Sequence, residues 1–198
     1  MNCCLDSYEY HDIIECIASA VDVRDPYTGN HSKRVGDMAT LICKSMGLSD
    51  EETQQIHIAG HVHDIGKIGI PDTILLKDGK LNSYEWDLMK QHPQIGADIL
   101  SKSEKLTRIA AIILHHHERF DGKGYPFGAK GDEIPLGARI IAVCDSIDAM
   151  TSERAYRSAM PIDEVRMEIH NNIGTMYDPD IAIIALKEWD KIVAMYEE

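Results

Sequence analysis

Apolar positions recur at helical spacing along most of the chain. Over 12–23, Ile13, Ile14, Ile17, Ala20 and Val21 fall on the three-to-four-residue repeat that lines one face of a helix. The stretch 31–46 repeats it with Val35, Met38, Ala39, Ile42 and Met46, and Gly47 supplies a C-terminal stop. Ser49 followed by Glu52 is a capping box, in which hydroxyl and carboxylate each satisfy a backbone amide at a helix start. It opens a third helix that carries Ile56, Ala59 and Val62 towards His63-Asp64. Asn82 with Glu85 repeats the start signal, and further helices are predicted over 105–118, 136–150, 162–173 and 180–196. No run of period-two alternation argues for strands. The pattern therefore predicts an all-α bundle of about seven to eight helices. It breaks over 119–135, where Asp121-Gly122-Lys123-Gly124-Tyr125-Pro126 begins a long Gly/Pro-rich loop. Loops of that length inside a compact domain are often functional.

At 198 residues, without repeats or an internal linker, the chain is expected to form one domain over 1–198. Residues 1 to about 20 fit a linker or a dimerisation helix, which leaves a homodimer and an upstream sensor or receiver partner open. The hydrophobic fraction of 44% and charged fraction of 27% are those of a soluble globular protein. The longest apolar run, 109–114, ends at a histidine run far short of the ~20 residues that cross a bilayer, so no membrane insertion is expected. The first residues lack the basic and apolar regions of a signal peptide, which makes a cytoplasmic location the expectation. Five cysteines without C-x-x-C spacing suit reduced thiols better than a disulfide frame or a structural zinc site. The net charge of −13 disfavours nucleic-acid polymers as partners. A small anionic ligand would need local positive charge, which bound metal ions can provide.

Ten histidines invite a metal reading, but placement says more than the count. His63-Asp64 ends an apolar helix and leads into Ile65-Gly66-Lys67. Neighbouring side chains on a helix diverge by about 100°, so these two can share a metal only with help from other segments. His31, His92, the run His115-His116-His117 and Asp145 offer that help from separate helices or helix ends. Imidazole with carboxylate suits zinc, iron, manganese or nickel, and a carboxylate can bridge two ions. The plainer reading of any one of these histidines is a hydrogen-bonded imidazole. Trp86 and Trp189 lie in helical patterns and read as core or surface anchors, not as platforms for a nucleobase.

His63-Asp64-Ile65-Gly66-Lys67, followed by His116-His117-Glu118-Arg119-Phe120-Asp121-Gly122-Lys123-Gly124-Tyr125-Pro126, strongly resembles the HD-GYP family of bacterial cyclic-dinucleotide phosphodiesterases. The likeness includes Arg24-Asp25-Pro26, Gly29-Asn30-His31, Ile68-Gly69-Ile70-Pro71-Asp72, His92-Pro93 and Ile95-Gly96. It continues through Ile134-Pro135-Leu136, Arg139-Ile140, Thr151-Ser152-Glu153-Arg154, Tyr156-Arg157 and Asp178-Pro179, covering residues from about 20 to 185. Two signatures in this order, joined by these blocks, are highly specific.

The resemblance implies an HD-domain helical bundle and a ligand set. His31, His63, Asp64 and Asp145 match the quartet of the general HD phosphohydrolase fold, and His92, His116 and His117 match the additions for a second metal, with Asp64 as the bridge. Lys67 matches the lysine beside the metals, and Tyr125, Arg154 and Arg157 match groups that meet the substrate. The family pairs two histidines before its glutamate, which selects His116 and His117 and leaves His115 as a packing residue. Some members bind a third metal through a glutamate four residues before the His31 position. Here that residue is Tyr27, whose ordinary pKa near 10 makes it a poor anionic ligand, so two metals are expected. The implied cofactors are two divalent transition-metal ions per chain, iron or manganese first, with nickel or zinc as alternatives. The implied activity is hydrolysis of cyclic di-GMP to linear pGpG and onward to GMP. Other readings are a cyclic-dinucleotide receptor without useful catalysis, or a phosphohydrolase for another cyclic dinucleotide or nucleotide.

Overall fold

The computed structural model describes residues 7–24, 30–152 and 159–196. Among them are eleven α-helical segments and no strand, with one isolated bridge between Ile173 and Tyr177. Eight helices have eight residues or more: α1 (Ser7–Asp22), α2 (His31–Met46), α3 (Asp50–Val62), α6 (His92–Leu100), α7 (Thr107–Leu114), α8 (Leu136–Thr151), α9 (Ile162–Asn171) and α10 (Pro179–Lys187). Seven of these lie where the sequence pattern predicts a helix, and α6 is a helix that the pattern does not predict. The other three, α4 (Asp72–Leu75), α5 (Ser83–Met89) and α11 (Trp189–Ala194), are shorter.

Start and stop signals act locally. Ser49 accepts from the Glu52 amide while the Glu52 carboxylate accepts from the Ser49 amide, completing the capping box at α3. Asn82 and Glu85 do the same at α5. Gly47, at φ 75°, closes α2 in the left-handed region that a Cβ disfavours.

The core is rich in isoleucine. Val35, Met38, Ala39 and Ile42 of α2 meet Ile56 and Ala59 of α3 and Ile140, Ile141, Cys144 and Ile147 of α8 in one buried cluster. Cys144 points into this core, as its helical neighbourhood with Asp145 implies. Helices α2 and α3 approach closely at Gly60, where a Cβ would stand 2.7 Å from the Gly36 Cα. That approach brings the first residue of α2, His31, beside the residue that ends α3, His63.

Two helices depart from the pattern. The helix expected over 105–118 ends at Leu114. The His115 Nδ1 donates to the Ala111 carbonyl at 2.9 Å and the His116 Nδ1 to the Ile113 carbonyl at 2.6 Å. Imidazole N–H groups thus satisfy the last carbonyls of α7 in place of backbone amides, and the chain is free to turn. The helix expected over 180–196 is interrupted at Glu188 between α10 and α11.

A candidate metal centre

The site is assembled at helix ends. His31 and His92 are the first residues of α2 and α6, His63 caps the C-terminus of α3, and Asp64 precedes a 3₁₀ turn, Ile65–Gly69, that carries Lys67. His116 and His117 lie in the turn after α7, and Asp145 sits within α8. The 3₁₀ turn lies directly on α6: a Cβ on Gly66 would come 1.8 Å from the His92 carbonyl oxygen. Only glycine permits that approach, which sets Asp64 and Lys67 against His92.

All seven residues proposed from the sequence as ligands converge. His31 Nε2 lies 3.2 Å from His63 Nε2, and His92 Nε2 lies 3.4 Å from His116 Nε2 and 3.2 Å from His117 Nε2. The Asp64 carboxylate lies between the two groups. Its Oδ1 is 3.3 Å from His92 Nε2, whereas its Oδ2 is 3.5 Å from His63 Nε2 and 2.8 Å from Lys67 Nζ. Asp145 Oδ1 stands 3.5 Å from His31 Nε2 and 3.9 Å from His63 Nε2. Residues adjacent in sequence can meet here because both pairs, His63-Asp64 and His116-His117, have left their helices. The expected divergence of helical neighbours does not apply.

The outer ring nitrogens fix the tautomers. A carbonyl can only accept, so His63, His92 and His116 must donate Nδ1–H to the carbonyls of Gly60, Met89 and Ile113 at 2.8, 2.8 and 2.6 Å. His31 donates Nδ1–H to Asp148 Oδ2 at 2.7 Å. Each of these rings therefore turns an Nε2 lone pair inward. Lone pairs facing one another at about 3.3 Å repel unless a cation lies between them, and outward Nδ1–H bonds of this kind typify metal-ligating histidines. Two groups, His31-His63-Asp64 and His92-His116-His117, have ligand atoms within 4.8 Å of one another and can each hold a metal ion. The donor set fits divalent transition metals.

Electrostatics divide the site. Burial lowers the pKa values of His92, His116 and His117, His116 to about 3, so these imidazoles stay neutral. Burial also opposes charge on His31, but the Asp148 hydrogen bond and the charges of Asp145, Asp148 and Asp64 outweigh it and raise its pKa. Burial would raise the Asp64 carboxyl; Lys67, then His63, His92 and His31, hold it well below the carboxylate range. Desolvation strongly raises the Tyr125 phenol, which remains protonated.

Asp148 is a site residue that the sequence reading missed. Its buried carboxylate accepts from His31, from Arg34 Nε at 2.5 Å and from the Tyr196 hydroxyl at 3.0 Å. Against the cost of burial, the His31 and Arg34 bonds hold its pKa far below the ordinary range. The signal was available: Asp148 follows Asp145 by three residues on one helix, and that spacing shares a face. His115 packs against Phe127, with ring centroids 5.4 Å apart, and His57 pairs with His61 through Nε2 atoms 3.1 Å apart, outside the cluster.

A cleft of about 650 Å³ opens above the cluster, within the range of small-molecule sites. His31, Asp64, Lys67, His92, His117 and Asp145 line it. Residues between Ile74 and Met89, Trp86 among them, line it as well, together with Tyr125. The Tyr125 ring lies 4.8 Å from His117 and 6.2 Å from Trp86. Trp189 is a buried anchor, as expected, whereas Trp86 lies on the cleft wall. Tyr27, Arg154 and Arg157 fall outside the described residues, so the expectations placed on them carry no geometry.

The family model for the HD domain matches residues 15–181. The chain belongs to the HD domain family. Its His63-Asp64 and Gly124-Tyr125-Pro126 signatures make it an HD domain of the HD-GYP type. A cyclic di-GMP phosphodiesterase of Thermotoga maritima is 43% identical over 194 residues, covering 95% of this chain and 53% of that protein. A 3'3'-cGAMP-specific phosphodiesterase of Vibrio cholerae is 41% identical, covering 88% of this chain and 39% of that one. The chain thus spans about half or less of the length of these relatives. Among solved structures, an HDG"Y"P protein from Bdellovibrio bacteriovorus superposes with a TM-score of 0.68 over 93% of this chain and 65% of its own. Its 15% identity makes that likeness one of fold. Among the described residues, no helix is long and apolar enough to cross a membrane.

Proposed function

We propose that this HD domain is a metal-dependent phosphodiesterase that opens cyclic di-GMP to linear pGpG and onward to GMP. The observation that carries the reading is the position of Asp64, whose two oxygens face two separate groups of inward-turned imidazole nitrogens at the floor of one cleft. His31, His63, Asp64 and Asp145 would hold one divalent ion, and His92, His116, His117 and Asp64 a second. Iron or manganese suits this set first, with nickel or zinc as alternatives. Such a pair supplies Lewis acidity towards phosphoryl oxygens and lowers the pKa of water.

The chain's own residues do the rest. Lys67, 2.8 Å from Asp64 and facing the cleft, neutralises charge that gathers on a non-bridging phosphate oxygen. Water attacks phosphorus, the bond to the ribose 3′-oxygen breaks, and the 3′-oxygen leaves with a proton. Tyr125 closes one side of the cluster as a neutral phenol. Arg154 and Arg157 would contribute positive charge to the dinucleotide, which lets a chain of net charge −13 bind a dianion. The Thermotoga relative bears the name of this activity. The Vibrio relative's name favours a second reading, in which the substrate is 3'3'-cGAMP.

The test is incubation of anaerobically prepared protein with cyclic di-GMP and Mn²⁺ or Fe²⁺, with products resolved by chromatography. Linear pGpG is expected, and Lys67→Ala should retain its metal while turning over roughly 10²–10³-fold more slowly. Cleavage of 3'3'-cGAMP alone would select the second reading. Metal-loaded protein that binds both dinucleotides and cleaves neither would leave a receptor.

A further inference from the structure

The two tryptophans sit in opposite settings. Trp189 is buried among the core isoleucines, whereas Trp86 is 46% exposed. Helix α5, which carries Trp86, buries no residue at all, so core packing does not account for a large aromatic side chain there. The helix is nonetheless pinned in place. Besides its capping box, Glu85 accepts from Lys77 Nζ at 2.8 and 2.6 Å through its two oxygens. Trp86 is therefore an exposed ring on a held support, facing the cleft.

Its neighbours define a direction. The His117 ring, which faces the metal cluster, lies 4.8 Å from Tyr125 at an interplanar angle of 32°. Tyr125 in turn meets Trp86 edge-on at 6.2 Å and 77°. Tyr125 thus links a ring of the histidine cluster, where a phosphate would react, to Trp86 in the lining of the same cleft. In a cyclic dinucleotide each base hangs one ribose away from the phosphate, so a base would reach these rings. Apolar Leu76 and Met89 and the ammonium of Lys80 line the cleft as well.

We propose that Trp86 is the base-stacking platform of the site, holding one purine of the cyclic dinucleotide against the α5 wall. The proposal rests on the phosphodiesterase reading above and adds to it where the substrate's base is held. Stacking on an indole tolerates any base, because every base presents a π-face. The platform would therefore accept cyclic di-GMP and 3'3'-cGAMP alike, and discrimination between them must come from other groups.

The test uses the metal-loaded full chain and a phosphorothioate analogue of cyclic di-GMP that resists cleavage. Binding is followed by calorimetry and by tryptophan emission. The wild type should bind with quenching. Trp86→Ala should raise Kd roughly 5- to 150-fold, the range of aromatic–base stacking. Trp86→Phe should recover most of the affinity but show no quenching, since only the buried Trp189 then emits. Wild-type affinity in Trp86→Ala, or full quenching in Trp86→Phe, would overturn the platform while leaving the phosphodiesterase reading intact. Failure of the wild type to bind analogues of either dinucleotide would overturn that reading and the platform with it.

Discussion

The His31-His63 half of the centre and the His92-His116-His117 half are built from the same side chain but differ in charge. In the first, Asp145 and Asp148 surround His31 closely enough to overcome the cost of burial and raise its pKa. In the second, Asp64 is the carboxylate that acts on the three imidazoles, and burial, with neighbouring imidazoles and, at His92, Lys67, keeps them neutral. In the first half the surrounding carboxylates favour positive charge at His31. The second offers lone pairs without the anionic charge that attracts a cation, and depends on one oxygen of Asp64 for it. A histidine cluster is therefore not one kind of site: its carboxylates decide how strongly it attracts a cation, and its outward hydrogen bonds decide which nitrogen is offered.

The largest effect should come from removing what the halves share. Asp64→Ala is expected to strip both metal positions together and reduce phosphodiester hydrolysis to background, measured by metal analysis beside the product assay. An active, metal-free Asp64→Ala protein would refute the shared-carboxylate account. A smaller and one-sided effect is expected of Asp148→Asn, which keeps the shape but removes the charge behind His31. Metal affinity in the His31-His63 half should fall about 10–100-fold while the other half keeps its ion, read by competition with a graded chelator. Equal losses from both halves would erase the distinction.

The smallest effect is on the metal-free protein and runs in opposite directions with pH. His116 has a folded pKa of about 3, below the ordinary 6.5, so its unfolded state takes up protons first and stability is lost as pH falls from 6.5 towards 3. His31 has a raised folded pKa, so its contribution is fully present below 6.5 and lost as pH rises through the folded value. Imidazole nitrogen NMR should show His31 protonated at a pH where His116 remains neutral. Thermal melts should show His116→Gln easing acid destabilisation and His31→Gln costing more stability at pH 6 than at pH 8. Matching titrations for the two rings would contradict the comparison.

The long helices were legible because their signals are local. The apolar repeat and Gly47 set the limits of α2, and the Ser49–Glu52 and Asn82–Glu85 boxes mark the starts of α3 and α5. The end of α7 was not legible, since the imidazoles of His115 and His116 cap it and helical periodicity does not register such bonds. The ligand residues came from the resemblance, and the structure supplies the reason that neighbours such as His116 and His117 can share a centre. Asp148 went unseen although its spacing from Asp145 was in view, because nothing in the sequence shows that the shared face meets His31. Trp86 was read from helical patterning alone, which cannot tell a core-facing position from a cleft wall on a helix as short as α5.

The proposed chemistry depends on a paired centre joined by Asp64. Metal analysis of anaerobically purified protein, run on the same sample as the cyclic di-GMP assay, tests it most directly. Two ions per chain are predicted, with turnover rising and falling with the second ion as it is removed and restored. Full activity with one ion, or three ions per chain, would contradict it.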